Sequence, residues 1–191
     1  MDKKQIIVAT TNKGKLKEIQ AIFSDFDIIS YKDLGYSEEI KETGKTFEEN
    51  ALIKAKTIAK HFNTFCIADD SGICIDYLNG FPGVETARFL PGTDRQRNLY
   101  ILEKLKDVPK EKRKVTFRVS IAIANPALAL TVSEDLVGYI STSIRGENGF
   151  GFDEIFELKD GRTLAELSFE EKNNISNRKK ALEAIKKYLN Q

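Results

Sequence analysis

The chain of 191 residues has no tryptophan, one histidine, one methionine, two cysteines and four prolines. Each scarcity closes off a class of chemistry. A single histidine, His61, cannot build a multi-histidine metal centre, and any serine–histidine–acid triad would have to use it. Cys66 and Cys74 both sit in apolar strand-like runs and read as buried, reduced thiols rather than as a disulfide. No apolar run approaches the roughly 20 residues of a membrane span. The opening Met1-Asp2-Lys3-Lys4-Gln5-Ile6 lacks the apolar core of a signal peptide. A cytoplasmic protein with no membrane partner is expected. An excess of one charge is also missing. Thirty basic residues face 29 acidic ones, so no extended basic face is available for nucleic acid, and any cationic site must be local.

What is present is an alternation of strand-like and helix-like segments. Residues 5–9 read as a short strand, 15–23 as a helix with Leu16, Ile19, Ile22 and Phe23 at helical spacing, and 27–31 as a second strand. Residues 46–62 form the clearest helix, with Phe47, Ala51, Ala55, Ile58 and Ala59 on one face. Thr46 and Glu49 have the spacing of a capping box. Residues 65–77 read as strand, acidic corner, strand, with the corner at Asp69-Asp70, and 78–83 as a turn. Residues 94–105 are helical. Residues 115–124 and 128–137 suggest a hairpin around Asn125-Pro126, with a further strand at 137–143. Ser176 opens a last helix to Leu189, its buried stripe being Ala181, Leu182, Ile185, Tyr188 and Leu189. No repeat or linker interrupts the pattern. The reading is one α/β domain over residues 1–191, with a mixed sheet.

Four constellations carry chemistry. Thr10-Thr11-Asn12-Lys13-Gly14-Lys15 lies between a strand and a helix, where backbone N–H groups and lysines suit phosphate. It is neither a Walker A loop nor a dinucleotide fingerprint, and alone it also reads as a solvated turn. Glu42 precedes the long helix in a loop from which it can reach a metal, whereas Glu48 and Glu49 are explained by the helix dipole. Asn50 and Lys54 share a face of that helix. Asp69 and Asp70 are oxygen ligands of the kind that suit Mg²⁺, and a carboxylate there can also act as general base. An acidic turn is the plainer alternative. Last, Gly149-Phe150-Gly151-Phe152-Asp153 and Lys172, with Asn177 and Arg178 further on, combine rings that can stack on a base with polar groups that can read its edge. Taken singly, the two phenylalanines also read as core residues.

In this order and at full length, the segments resemble the inosine triphosphate pyrophosphatase family. The resemblance is carried by residues 9–15, by Glu42-Thr43-Gly44 with 46–51, and by Ala68-Asp69-Asp70-Ser71-Gly72. It continues through Gly80-Phe81-Pro82-Gly83-Val84, Ala87-Arg88, residues 149–156, Ala165-Glu166-Leu167 and 171–178. It implies a long curved mixed sheet with flanking helices in two lobes around a central cleft, and a homodimer. It also implies a Mg²⁺-dependent reaction in which water attacks the α-phosphorus of a nucleoside triphosphate, giving the monophosphate and pyrophosphate. The preferred bases are hypoxanthine and xanthine, so deaminated purines are removed from the nucleotide pool.

Residue by residue, the resemblance makes Asp70 the general base and a metal ligand, with Glu42 the second metal-side carboxylate and Glu39 a poorer candidate in the same loop. Asp69 is expected to raise the Asp70 pKa by like-charge repulsion. Thr10, Thr11, Asn12, Lys13, Gly14, Lys15 and Lys54 fall to the triphosphate, and Ser71 to a substrate contact. Phe150, Gly151, Phe152, Asp153, Lys172, Asn177 and Arg178 fall to the base, with Ser176 on the polar rim. Arg178 can donate to a 6-keto oxygen and has nothing to offer a 6-amino group. A mismatch of that kind costs roughly 1–3 kcal/mol per unpaired donor. The chain departs from the family in having Asn177 where histidine is usual, Phe152 where another aromatic is common, and Glu154 in place of proline. Two other readings stand beside this one. One is a pyrophosphatase of the structurally similar Maf type, acting on modified pyrimidine or methylated nucleotides. The other is a non-catalytic nucleotide sensor.

Overall fold

The computed structural model describes residues 4–189. Met1 to Lys3, part of the stretch read above for a signal peptide, lie outside it. The six strands are β1 (Gln5–Val8), β2 (Asp27–Ser30), β3 (Cys66–Ile75), β4 (Lys114–Ala124), β5 (Ala129–Ile140) and β6 (Phe156–Glu157). They form one mixed sheet in the order β2-β1-β3-β4-β5-β6. β1 is parallel to both β2 and β3, and β5 is antiparallel to β6. The α-helices are α1 (Lys13–Ile22), α2 (Phe47–Phe62), α3 (Asp94–Lys104), α4 (Phe169–Ile175) and α5 (Asn177–Leu189). Among the described residues no helix is long and apolar enough to cross a membrane.

The chain divides into two compact units. Among the described residues, the first runs to Asp70 and takes in 119–134 and the chain from Asn177 onward, and the second holds 71–118 and 135–176. In the first, Ala51, Ala55, Ile58 and Ala59 of α2 pack with Ile7 of β1, Cys66 and Ala68 of β3 and Ala122 of β4. This is the helix face expected from the 3.6-residue period. In the second, Ile73 and Ile75 of β3 pack with Ile101 of α3, Val115 of β4 and Ile140 of β5.

The capping box of α2 forms as expected. Thr46 accepts from the Glu49 N–H while the Glu49 carboxylate accepts from the Thr46 N–H. The hairpin also forms. A connection of this length between neighbouring strands β4 and β5 requires them to be antiparallel. Arg118–Asp135, Ser120–Ser133 and Asn125–Leu128 all close the same register.

Several expectations are corrected. Asp69 and Asp70 form no corner: β3 runs unbroken through them. Residues 128–143 are not two strands but one, β5. α1 begins earlier than its apolar spacing indicates, because Asn12 caps it by accepting from the Lys15 N–H at 3.1 Å. β6 and α4 have no periodic signal, β6 because it is only two residues long and α4 because none of its seven residues is buried. On α5, Ala181, Leu182 and Ile185 are buried as read, but Tyr188 is 55 % exposed. Both cysteines are free, with Cys66 buried and Cys74 only half-buried.

Candidate active site

Side chains of successive strand residues point to opposite faces of a sheet, and β3 uses that rule to part its two acids. Ala68 faces α2 in the core of the first unit, so Asp70, two residues on, shares the α2 side. Asp69 faces the other way, toward α1 and α5.

Asp69 is 1 % exposed. Its Oδ1 pairs with Lys15 Nζ from the first turn of α1, and its Oδ2 accepts from Arg178 Nε at 2.7 Å from the first turn of α5. Arg178 Nη1 in turn donates to Glu18 Oε2 at 2.7 Å. Glu18, Arg178, Asp69 and Lys15 thus form a chain of alternating charge, buried at Arg178 and Asp69. Burial alone would raise the Asp69 pKa, but the Arg178 and Lys15 charges outweigh it and hold the carboxyl well below the usual range. Lys15 is shifted down, first by burial, and Asp69 only partly offsets this. Arg178 is held fully charged, since the two acids overcome its desolvation.

Asp70 is 9 % exposed and faces a different set of groups. Lys54 Nζ lies 2.5 Å from Glu42 Oε1, 2.8 Å from the Asp69 carbonyl oxygen and 3.5 Å from Asp70 Oδ1. Asp70 Oδ2 is buried and has no hydrogen-bond partner among the described residues. Its pKa is raised, first by burial and then by the Glu42 charge, against the opposing pull of Lys54. Asp69 adds in the expected direction, but as the smallest of these contributions. The repulsion expected from Asp69 is therefore secondary to desolvation, because Asp69 is itself neutralised on the other face. Lys54 stays charged: burial opposes it, and Asp70 and Glu42 prevail.

Two carboxylates with an orphaned oxygen fit a hard divalent cation that completes its shell with water and phosphate oxygens. Among the described residues no three histidine, cysteine, aspartate or glutamate side chains come together as a metal cluster, so a closed site of the structural zinc type does not fit. Glu39 is exposed, and Glu42 is the loop acid that reaches Lys54. His61 is exposed, with its ring against Tyr36 and Phe62.

The remaining residues expected to meet the triphosphate lie at the start of α1. Thr10 Oγ1 accepts from the Asn12 N–H at 3.2 Å. Thr11, Asn12 and Lys13 are exposed and Gly14 is half-buried. Asn177 is buried, donating to the Glu134 carbonyl at 3.3 Å and accepting from the Arg178 N–H at 3.1 Å.

In the second unit, Asp153 Oδ2 takes both Lys172 Nζ at 2.5 Å and the Phe150 N–H at 2.8 Å. The Lys172 ammonium lies 4.8 Å from the centre of the Phe150 ring. Gly149 has φ +82°, and a Cβ there would collide with the Asp153 carboxylate. The Gly151 N–H donates to Asp94 at 2.9 Å and its carbonyl accepts from Asn98 at 3.0 Å. Phe152, expected to stack on the base, is half-buried and packs against the core of this unit, and Phe150 is the ring beside Lys172. Ser71 is half-buried on β3 just past Asp70. Glu154 receives Arg95 at 3.2 Å and Asn98 at 3.2 Å, so its acidic side chain has partners of its own.

Sequence reasoning missed Glu18 and Asn98. Glu18 had a signal, since it lies three residues after Lys15 on one helix and so shares its face. Asn98 had none, because its partners Gly151 and Glu154 are more than fifty residues away. In the first unit the structure gathers Glu42, Lys54 and Asp70 as one set and Lys15, Asp69, Arg178 and Glu18 as another, and in the second unit Phe150, Asp153 and Lys172.

Residues 6–188 match the Ham1 family. The chain belongs to that family. Among similar proteins, the dITP/XTP pyrophosphatase of Bacillus licheniformis is 45% identical over 98% of this chain and 99% of its own. That of Bacillus subtilis is 46% identical over 97% of each. A solved structure, the Staphylococcus aureus Ham1 protein, superposes with a TM-score of 0.88 at 35% identity and 98% coverage of both chains.

Proposed function

We propose that this chain is a nucleoside triphosphate pyrophosphatase that converts dITP, ITP and XTP to the monophosphate and pyrophosphate. The observation that carries the assignment to residues is the meeting of Glu42 and Asp70 at the Lys54 ammonium, with Asp70 Oδ2 buried and unpaired. Attack by water on the α-phosphorus needs a base on one side and positive charge where pyrophosphate leaves. Asp70 is the base, and its raised pKa improves it as a proton acceptor. Lys15 and Lys54, with the N–H groups and small residues from Thr10 to Gly14, hold the triphosphate. Asp69 and Arg178 hold Lys15 in place. Glu42 and Asp70 would hold Mg²⁺, which when bound neutralises phosphate charge and polarises the attacking water.

The base falls to the second unit. Asp153 anchors the Lys172 ammonium, which can donate to a 6-keto oxygen or to N7 but has nothing to accept from a 6-amino group. Phe150 supplies a ring face and Gly151 leaves it unobstructed. Ser71 completes the substrate contacts. Residues 1–191 act as one domain, cytoplasmic and homodimeric, without nucleic-acid or membrane partners.

The assay is release of pyrophosphate from dITP, XTP, ATP and GTP with Mg²⁺. Fast release from the first two alone is expected, with Asp70→Asn inactive yet still binding nucleotide. Orthophosphate as first product would mean cleavage at the γ position and would overturn the reading.

A further inference from the structure

Asn50 is fully buried in α2, one turn before Lys54. Its Oδ1 accepts from the Gly44 N–H at 2.8 Å. The next two N–H groups, of Lys45 and Thr46, both reach Glu49 Oε2, at 2.6 and 3.3 Å. Three successive amides of the loop that carries Glu42 are therefore held by two adjacent side chains of one helix. The fit leaves no room: a Cβ on Gly44 would lie 2.6 Å from Glu49 Cβ, 2.7 Å from Asn50 Oδ1 and 2.9 Å from the Asn50 nitrogen.

The capping box already accounts for Glu49, but it does not account for Asn50. Asn50 Nδ2 is buried with no hydrogen-bond partner among the described residues. The assignment of the amide is unambiguous, since Gly44 presents a donor and only the oxygen can receive it. A buried orphan donor works against folding, so packing alone gives no reason for an asparagine here.

We infer that Asn50 is a positioning residue for Glu42: by accepting from Gly44 it fixes the loop so that the Glu42 carboxylate stands at Lys54, ready to hold a divalent cation. This rests on the proposed cation role of Glu42. It is tested by measuring Mn²⁺ affinity calorimetrically in the presence of a non-hydrolysable α,β-methylene inosine triphosphate. Substitutions in the shell behind a metal ligand typically cost about 10–100-fold in affinity. Asn50→Ala is expected to weaken Mn²⁺ binding by at least about 10-fold. The double variant with Glu42→Gln is expected to bind no more weakly than Glu42→Gln alone. Gly44→Ala, which pushes the loop off the helix from the other side, should reproduce the Asn50→Ala loss even if Asn50→Ala folds poorly. Wild-type Mn²⁺ affinity in both Asn50→Ala and Gly44→Ala, with Glu42→Gln impaired, overturns the inference and leaves Glu42 its role. Additive losses in the double variant overturn it as well. Wild-type affinity in Glu42→Gln removes the cation role and the inference with it.

Discussion

Replacing Asp69 by asparagine should destabilise the fold and replacing Asp70 should not, although the two residues are neighbours in β3. Asp69 is 1 % exposed and joins Lys15 and Arg178. Removing its charge takes the shared carboxylate from the Lys15 ammonium and from the buried Arg178 guanidinium. Breaking a buried pair in this way costs about 3–5 kcal/mol. At about 2–4 °C per kcal/mol for a chain of this size, Asp69→Asn should lower Tm by about 10 °C. Asp70 is the reverse case. Its raised pKa means that burial and Glu42 disfavour its charged form more than Lys54 supports it. Asp70→Asn removes that penalty, so Tm should hold or rise while turnover is lost. The pH dependence follows the same signs. The depressed Asp69 pKa contributes stability above the ordinary aspartate value of about 4, and that stability is lost as pH falls through the folded value. The raised Asp70 pKa makes wild-type stability decline as pH rises from about 4 through its folded value, and Asp70→Asn should flatten that decline. Thermal unfolding in EDTA at several pH values measures all three. A Tm loss in Asp70→Asn as large as in Asp69→Asn would refute the reasoning.

Three further outcomes are expected. Because Asp70 must be ionised to act as base and its pKa is raised, the acid limb of kcat/KM for dITP should fall at a pH above about 4, the ordinary aspartate value; a limb at or below that value removes Asp70 as the base. Arg178→Lys should raise KM for all purine triphosphates alike, since Arg178 acts through Asp69 and Lys15; a collapse of the dITP-to-dATP ratio alone would make it a base reader instead. Thr46→Ala should cost about 1 kcal/mol, or about 2–4 °C, measured by thermal unfolding, with kcat unchanged.

Much of the fold is legible locally. The α2 face and its capping box need only residues within a few positions of one another, so periodicity and cap chemistry suffice. The β4–β5 hairpin is equally local. The misses have one cause each. Two acids in a row look like the end of an apolar run, yet β3 continues because Lys15, Arg178 and Lys54 neutralise them from other elements. α4 buries none of its residues and so leaves no stripe to detect.

By itself the sequence determined the family, the α/β class and the helix that carries Lys54, because these depend on ordered motifs and short spacings. Only the tertiary structure decided which groups each acid meets. Adjacent residues on a strand face opposite ways, and it is the helices on the two sides that make Asp69 a neutralised anchor for Lys15 and Arg178, and Asp70 a desolvated carboxylate beside Lys54 and Glu42. It likewise put Phe150 beside Lys172 and packed the half-buried Phe152 against the core of the second unit. Charge compensation and burial come from residues distant in sequence, and no local pattern contains them.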